Sequence, residues 1–184
     1  AFKEASESKL LLDGETIKVV KADSTCTDPD AATVAAEKVI SEGVKAIIGA
    51  VCPSITKAIL LNSAIPNKVT MISPAASSAA LTSLNDKGFF FRTTPSDTRG
   101  GEILADITKD RKIKKVAVTY VNNDYGKSLA SVFKERVESY GIKVSIVIPH
   151  DNSKEDYSSE VSKLVTAGGD AVAVIGYLEQ GGKK

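Results

Sequence analysis

The chain has 184 residues, 42% hydrophobic and 26% charged, and its 24 Lys and Arg against 23 Asp and Glu leave a formal net charge of +1. A near-neutral chain without a basic cluster argues against a nucleic-acid partner, and no apolar run reaches the ~20 residues of a membrane-spanning helix. Two Cys and one His leave little material for a metal site, so neither a metal nor another cofactor is expected.

Taken in order, the predicted elements alternate between helix and strand. Residues 1–12 read as the tail of a helix, Asp13-Gly14 as a turn, and Ile17 to Ala22 as a strand ending in the polar loop Asp23 to Thr27. Asp28 is a good N-cap with Pro29 at the first helical position. Ala32, Ala35, Ala36, Val39 and Ile40 then recur at helical spacing until Gly43. Ala46 to Val51 is a continuous apolar run, as expected of a strand covered on both faces in a parallel sheet. It runs into a helix beginning near Cys52–Ser54, with Pro53 in the first turn. Ser54 and Thr56 would place hydroxyls beside free backbone donors at the positive end of the helix dipole, where a carboxylate could bind. Val69 to Ile72 is a short strand, Ser73 to Ala80 a small-residue loop, and Phe89 to Arg92 another strand.

Asp97 to Arg111 reads as helical, and from Lys115 the rhythm starts again. Val116 to Val121, Ile142 to Ile148 and Ala171 to Ile175 are strands, separated by helices over Asp124 to Tyr140 and Lys154 to Ala167. Strands joined by helices imply parallel sheets with right-handed crossovers. The break at Thr93-Thr94-Pro95-Ser96 divides the chain into two α/β lobes, residues 1–94 and 95–184, and makes that segment a crossover acting as a hinge.

Several motifs occur together. Asp23…Cys26…Asp28-Pro29 precedes a helix and Gly43-Val-Lys-Ala-Ile-Ile-Gly-Ala-Val-Cys52 follows it. Then come Ile72-Ser-Pro-Ala-Ala-Ser77 with Leu81-Thr82, Phe91-Arg92-Thr93 with Asp97, Asp124-Tyr-Gly-Lys-Ser-Leu-Ala130, and Gly176-Tyr177. Each is weak alone, but in this order the chain resembles the type I periplasmic binding proteins, in their branched-chain amino-acid (Leu/Ile/Val) branch. The resemblance implies two Rossmann-like lobes with parallel sheets that close on a ligand, and roughly half a family chain absent here. That half includes a first strand lying between Ile17–Ala22 and Ala46–Val51, and the end of lobe two.

The resemblance also bears on the site. Cys52 alone reads either as a nucleophile at a helix N-terminus or as half of a disulfide with Cys26; the matching family positions carry a bridge. Ser54, Thr56, Ala75, Ala76 and Ser77 resemble the family's contacts to the ligand's carboxylate and ammonium, and Tyr125 and Tyr177 its closing aromatics. Where the family usually has a hydroxyl residue stands Pro53, which passes that role to Ser54. The resemblance further implies an extracytoplasmic, monomeric component of an ABC importer, with a small amino acid as ligand and a membrane permease as partner. A sensing domain of a receptor or regulator on the same fold is the alternative. An enzyme using Cys52 or Ser54 would need a base, which the lone His150 does not obviously supply.

Overall fold

The structure, a computed structural model, describes residues 2–10, 14–151 and 153–178. Six α-helices and six strands follow one another along them: α1 (Phe2–Ser8), α2 (Pro29–Ser41), β1 (Ala46–Ile48), α3 (Pro53–Ile59, extended by a π-turn over Leu60–Ala64), β2 (Thr70–Ser73) and β3 (Phe90–Arg92) come first. After them come α4 (Asp97–Asp110), β4 (Lys115–Val121), α5 (Asp124–Ser139), β5 (Lys143–His150), α6 (Ser158–Ala167) and β6 (Ala171–Ile175). The strands form two separate parallel sheets, β1-β2-β3 and β5-β4-β6. The expected α/β fold of two lobes is thus present, and the strand at Val116–Val121 does not join the sheet of Ala46–Ile48.

Local chemistry explains most boundaries. Asp28 caps α2 by accepting from the N–H groups of Asp30 and Ala31, with Pro29 at the first position. Gly43 follows with φ +86°, a conformation that costs glycine little. In lobe one, Ala32 and Ala36 of α2 pack with Ile55 and Ile59 of α3, Leu60, Met71 and Phe90. In lobe two, Val116 and Val118 of β4 are buried against Ala105 of α4 and Ala130, Phe133 and Val137 of α5. Gly101 lets those two helices approach, because a Cβ there would lie 2.7 Å from Val132 Cγ1.

Three expectations need correction. Ile17–Ala22 is in no strand. Val20, Ala22, Asp23 and Ser24 stand off from β1 and α2 across a cavity of about 140 Å³, so no backbone ladder can form there. The strand at Ala46 stops at Ile48 and is not covered on both faces, since Ile48 is 59% exposed. The last helix starts at Ser158 rather than Lys154, because the Asp156 carboxylate accepts from the Ser158 N–H and Tyr157 bonds the Asp151 carbonyl. Of the turn expected at Asp13-Gly14, Asp13 lies outside the described residues, as do Ala1, Leu11 and Leu12 of the first predicted helix.

Candidate functional site

The carboxyl ends of the strands in both lobes border one cleft of about 660 Å³, lined among others by Cys52, Ser54, Ala75, Ser77, Tyr125 and Tyr177. This is where an open parallel sheet leaves backbone groups unpaired and free to bind. Cys26 and Cys52 are bonded, with Cα atoms 5.6 Å apart, and the bridge forms part of one wall. Cys52 is therefore no nucleophile. His150 lies in the other lobe, buried with Nδ1 on the Thr119 hydroxyl, and burial lowers its pKa.

Lobe one contributes polar groups. Cys52 is the N-cap of α3 but provides no side-chain cap, and Pro53 has no N–H. The first free helix donors are thus those of Ser54 and Ile55, and Ser54 itself lines the cleft. Thr56 does not: it is fully buried, and its hydroxyl donates to the Ala50 carbonyl at 3.2 Å. Ala76 is likewise fully buried, its N–H held by Ser73 Oγ at 2.9 Å and its carbonyl by Arg92. Of the candidates in lobe one, the cleft brings together Ser54, Ala75 and Ser77, and leaves Thr56 and Ala76 behind it.

Lobe two contributes aromatic faces. Tyr125 sits in the first turn of α5, whose cap Asn123 accepts from the Gly126 N–H at 2.9 Å. Gly126 is required there, because a Cβ would overlap the Val121 carbonyl. The strand–helix corner can then tighten enough to hold Tyr125 at the mouth. Tyr177, beyond β6, stacks on Tyr125 with ring centroids 5.5 Å apart and planes at 17°. Asn123 Nδ2 donates to the Tyr177 hydroxyl at 3.4 Å.

One residue beside this site escaped sequence reasoning as a functional group. Asp97 opens α4 and is 9% exposed, and its N–H donates to the Ser77 carbonyl at 2.8 Å. Its Oδ2 is buried without a hydrogen-bond partner among the described residues. Burial raises the Asp97 pKa, and the Ser77 hydroxyl and Arg92 guanidinium pull it only partly back. Tyr125 is also pushed up, first by burial and then by the charge of Asp97. Asp97 therefore lies behind Ser77 and near Tyr125, next to the cleft lining without being part of it. Its place in sequence, after Ser96 and opening a helix, looks like ordinary first-turn acid chemistry; only the fold shows its unsatisfied oxygen.

Comparison with known proteins decides the family. Residues 1–181 match the model of the receptor family ligand binding region. The chain belongs to that family. It is 33% identical over 167 residues to the leucine-, isoleucine-, valine-, threonine- and alanine-binding protein of Pseudomonas aeruginosa, covering 90% of this chain and 44% of that one. Among solved structures, the leucine binding protein LivK of Thermotoga maritima aligns with a TM-score of 0.82 at 29% identity, over 96% of this chain and 50% of that one. LivJ of Streptococcus pneumoniae in complex with isoleucine gives 0.79 at 26%, over 99% and 52%. The family member described here thus spans about half the length of the relatives it matches. Its resemblance to type I periplasmic binding proteins of the Leu/Ile/Val branch holds in both sequence and fold.

Proposed function

We propose that this chain is part of the extracytoplasmic solute-binding component of an ABC importer, and that it binds a branched-chain or related small amino acid between lobes 1–94 and 95–184. The observation that carries this reading is the pairing of polar, partly unpaired backbone and hydroxyl groups on one wall with two tyrosines on the other. Ser54 and the α3 N-terminus suit a carboxylate, since anions are favoured at free helix N–H groups. The Ala75 carbonyl suits an ammonium but is itself neutral, so the full counter-charge has to come from an acid, and Asp97 offers a carboxylate close to Ser77. Tyr125 and Tyr177 then cover the ligand with flat apolar faces and one hydroxyl each. Thr93–Ser96, which joins β3 to α4, serves as part of the hinge.

Such a protein works as a monomer, hands its ligand to a membrane permease, and performs no catalysis. No helix among the described residues is long and apolar enough to cross a membrane. The test is calorimetric titration of the full-length purified protein with a panel of amino acids, alongside mass spectrometry of any ligand released on unfolding. Tight binding of leucine, isoleucine or valine is expected. Failure to bind any amino acid would overturn the reading.

A further inference from the structure

Arg92 ends β3 beneath the loop that carries Ala75 and Ser77. Its Nη1 donates to the carbonyls of Ala76 at 3.2 Å and Ser78 at 2.8 Å, and its Nη2 donates to Thr82 Oγ1 at 2.5 Å. The neighbouring backbone groups are also engaged. The Ser73 carbonyl accepts from the Thr93 N–H and the Ser77 carbonyl from the Asp97 N–H. The N–H groups of Ala75 and Ala76 go to Ser73 Oγ, which itself donates to the Ala50 carbonyl. What remains is selective. Of the two residues by which this loop lines the cleft, Ala75 keeps an unpaired carbonyl and Ser77 an unpaired N–H among the described residues.

We propose that Arg92 is a positioning residue for ligand recognition. By gripping the carbonyls on either side of Ser77, it holds Ala75 as acceptor and Ser77 as donor, a matched pair for the ammonium and carboxylate of one amino acid. The ends of the crossover act together in this. Arg92 before it and the Asp97 N–H after it hold three consecutive carbonyls, those of Ala76, Ser77 and Ser78. A guanidinium does this because its donors are fixed in a planar fork. A lysine keeps the charge, and so its effect on Asp97, but cannot reach three acceptors in that geometry.

This inference rests on the amino-acid reading, and the experiment separates the two. In the full-length protein, affinities are measured for leucine and for 4-methylpentanoate, the same skeleton without the ammonium. The unaltered protein should prefer leucine by at least about a hundredfold, as sites built to bond a polar group do. Arg92→Lys should cut that preference about tenfold, because the Ala75 carbonyl is no longer held. Thr82→Ala, which removes only the outer contact, should leave the preference within about twofold. A purely structural role would weaken both ligands alike, so an unchanged ratio in Arg92→Lys overturns the inference whatever happens to melting temperature. Should that variant not fold, the leucine complex of the unaltered protein decides. The ammonium should sit on the Ala75 carbonyl with Arg92 still on Ala76 and Ser78, and any other arrangement overturns it. If the unaltered protein binds no amino acid, the functional reading itself falls and this inference with it.

Discussion

Lobe one is built on strands of three, four and three residues, lobe two on strands of seven, eight and five. The short strands leave more backbone outside the ladders, and that backbone, at Ser54, Ala75 and Ser77, faces the cleft. Unpaired groups have to be held in place by something other than a sheet. Lobe one uses a disulfide, the Ser73 hydroxyl and the Arg92 fork. Lobe two pairs its backbone along β4 from Lys115 to Val121 and fills its core with Phe133, Val116, Val118 and Val137. It gives the cleft the stacked rings of Tyr125 and Tyr177. Fixed polar groups on one wall and aromatic faces on the other suit a ligand that docks first and is covered second.

If lobe one depends on cross-links, removing the disulfide should have the largest effect. The bridge spans a sequence separation of 26, and closing a loop of that size stabilises by about 3–4 kcal/mol. Replacing both Cys26 and Cys52 by Ser should lower unfolding stability by about that amount in urea denaturation. A loss below about 1 kcal/mol would erase the contrast between the lobes.

The next effect is on binding. Ser77→Ala and Asp97→Asn each remove a partner from a buried charged hydrogen-bond network, which costs about 1.5–3 kcal/mol, or roughly tenfold to a hundredfold in affinity. Tyr125→Ala should instead act through closure, raising the ligand's dissociation rate more than it slows association. Stopped-flow and calorimetry on the same variants separate the two modes. Equal effects on association and dissociation in both groups would remove the division between a docking wall and a covering wall.

A subtler change tests the geometry of the covering wall. Gly126→Ala puts a methyl group against the Val121 carbonyl, so the first turn of α5 must shift, at a cost of about 1–3 kcal/mol. Because Tyr125 precedes Gly126, leucine affinity should fall with stability, whereas Gly100→Ala, whose Cβ would meet only Leu129 Cδ1 at 3.7 Å, should alter neither by much. Thermal melting and leucine titration of both variants provide the check.

Much of this was legible in the sequence, for physical reasons that differ by region. Asp28-Pro29 and Gly43 act within a few residues, so local chemistry sets those helix ends. Strand identity depends on neighbours. Val116–Val121 has β5 and β6 on either side and forms. Ile17–Ala22 also carries β-branched residues, at Ile17, Val19 and Val20, but has no adjacent ladder and forms no strand. The site divides in the same way. Ser54, Ala75, Ser77, Tyr125 and Tyr177 follow strand ends and reach the cleft, whereas Thr56 lies one helical step too deep and turns its hydroxyl to Ala50. Arg92 and Asp97 stood inside a recognised motif, but what they grip is set by tertiary contact across the crossover, which no spacing in sequence displays.

The smallest predicted effect is a pH dependence, and its sign follows from Asp97. Burial raises the pKa of this carboxyl above its ordinary value of 3.8 in the folded protein. Between that value and the raised one the native state holds more protons than the unfolded state, so the free protein's stability falls as pH rises through the window. Ligand acts in the opposite direction. An ammonium beside Asp97 favours the carboxylate and lowers its pKa, so binding in the same window releases a proton. Leucine affinity should therefore weaken as pH falls through the raised value, by at most about tenfold per pH unit for one proton. Titrations from about pH 7 to about pH 4, in buffers of different ionisation enthalpy, measure both the slope and the proton released. Asp97→Asn, which cannot ionise, should flatten the slope while retaining its weaker affinity. A pH-independent affinity in the unaltered protein, or an equal slope in the variant, would place the ammonium's counter-charge somewhere other than Asp97.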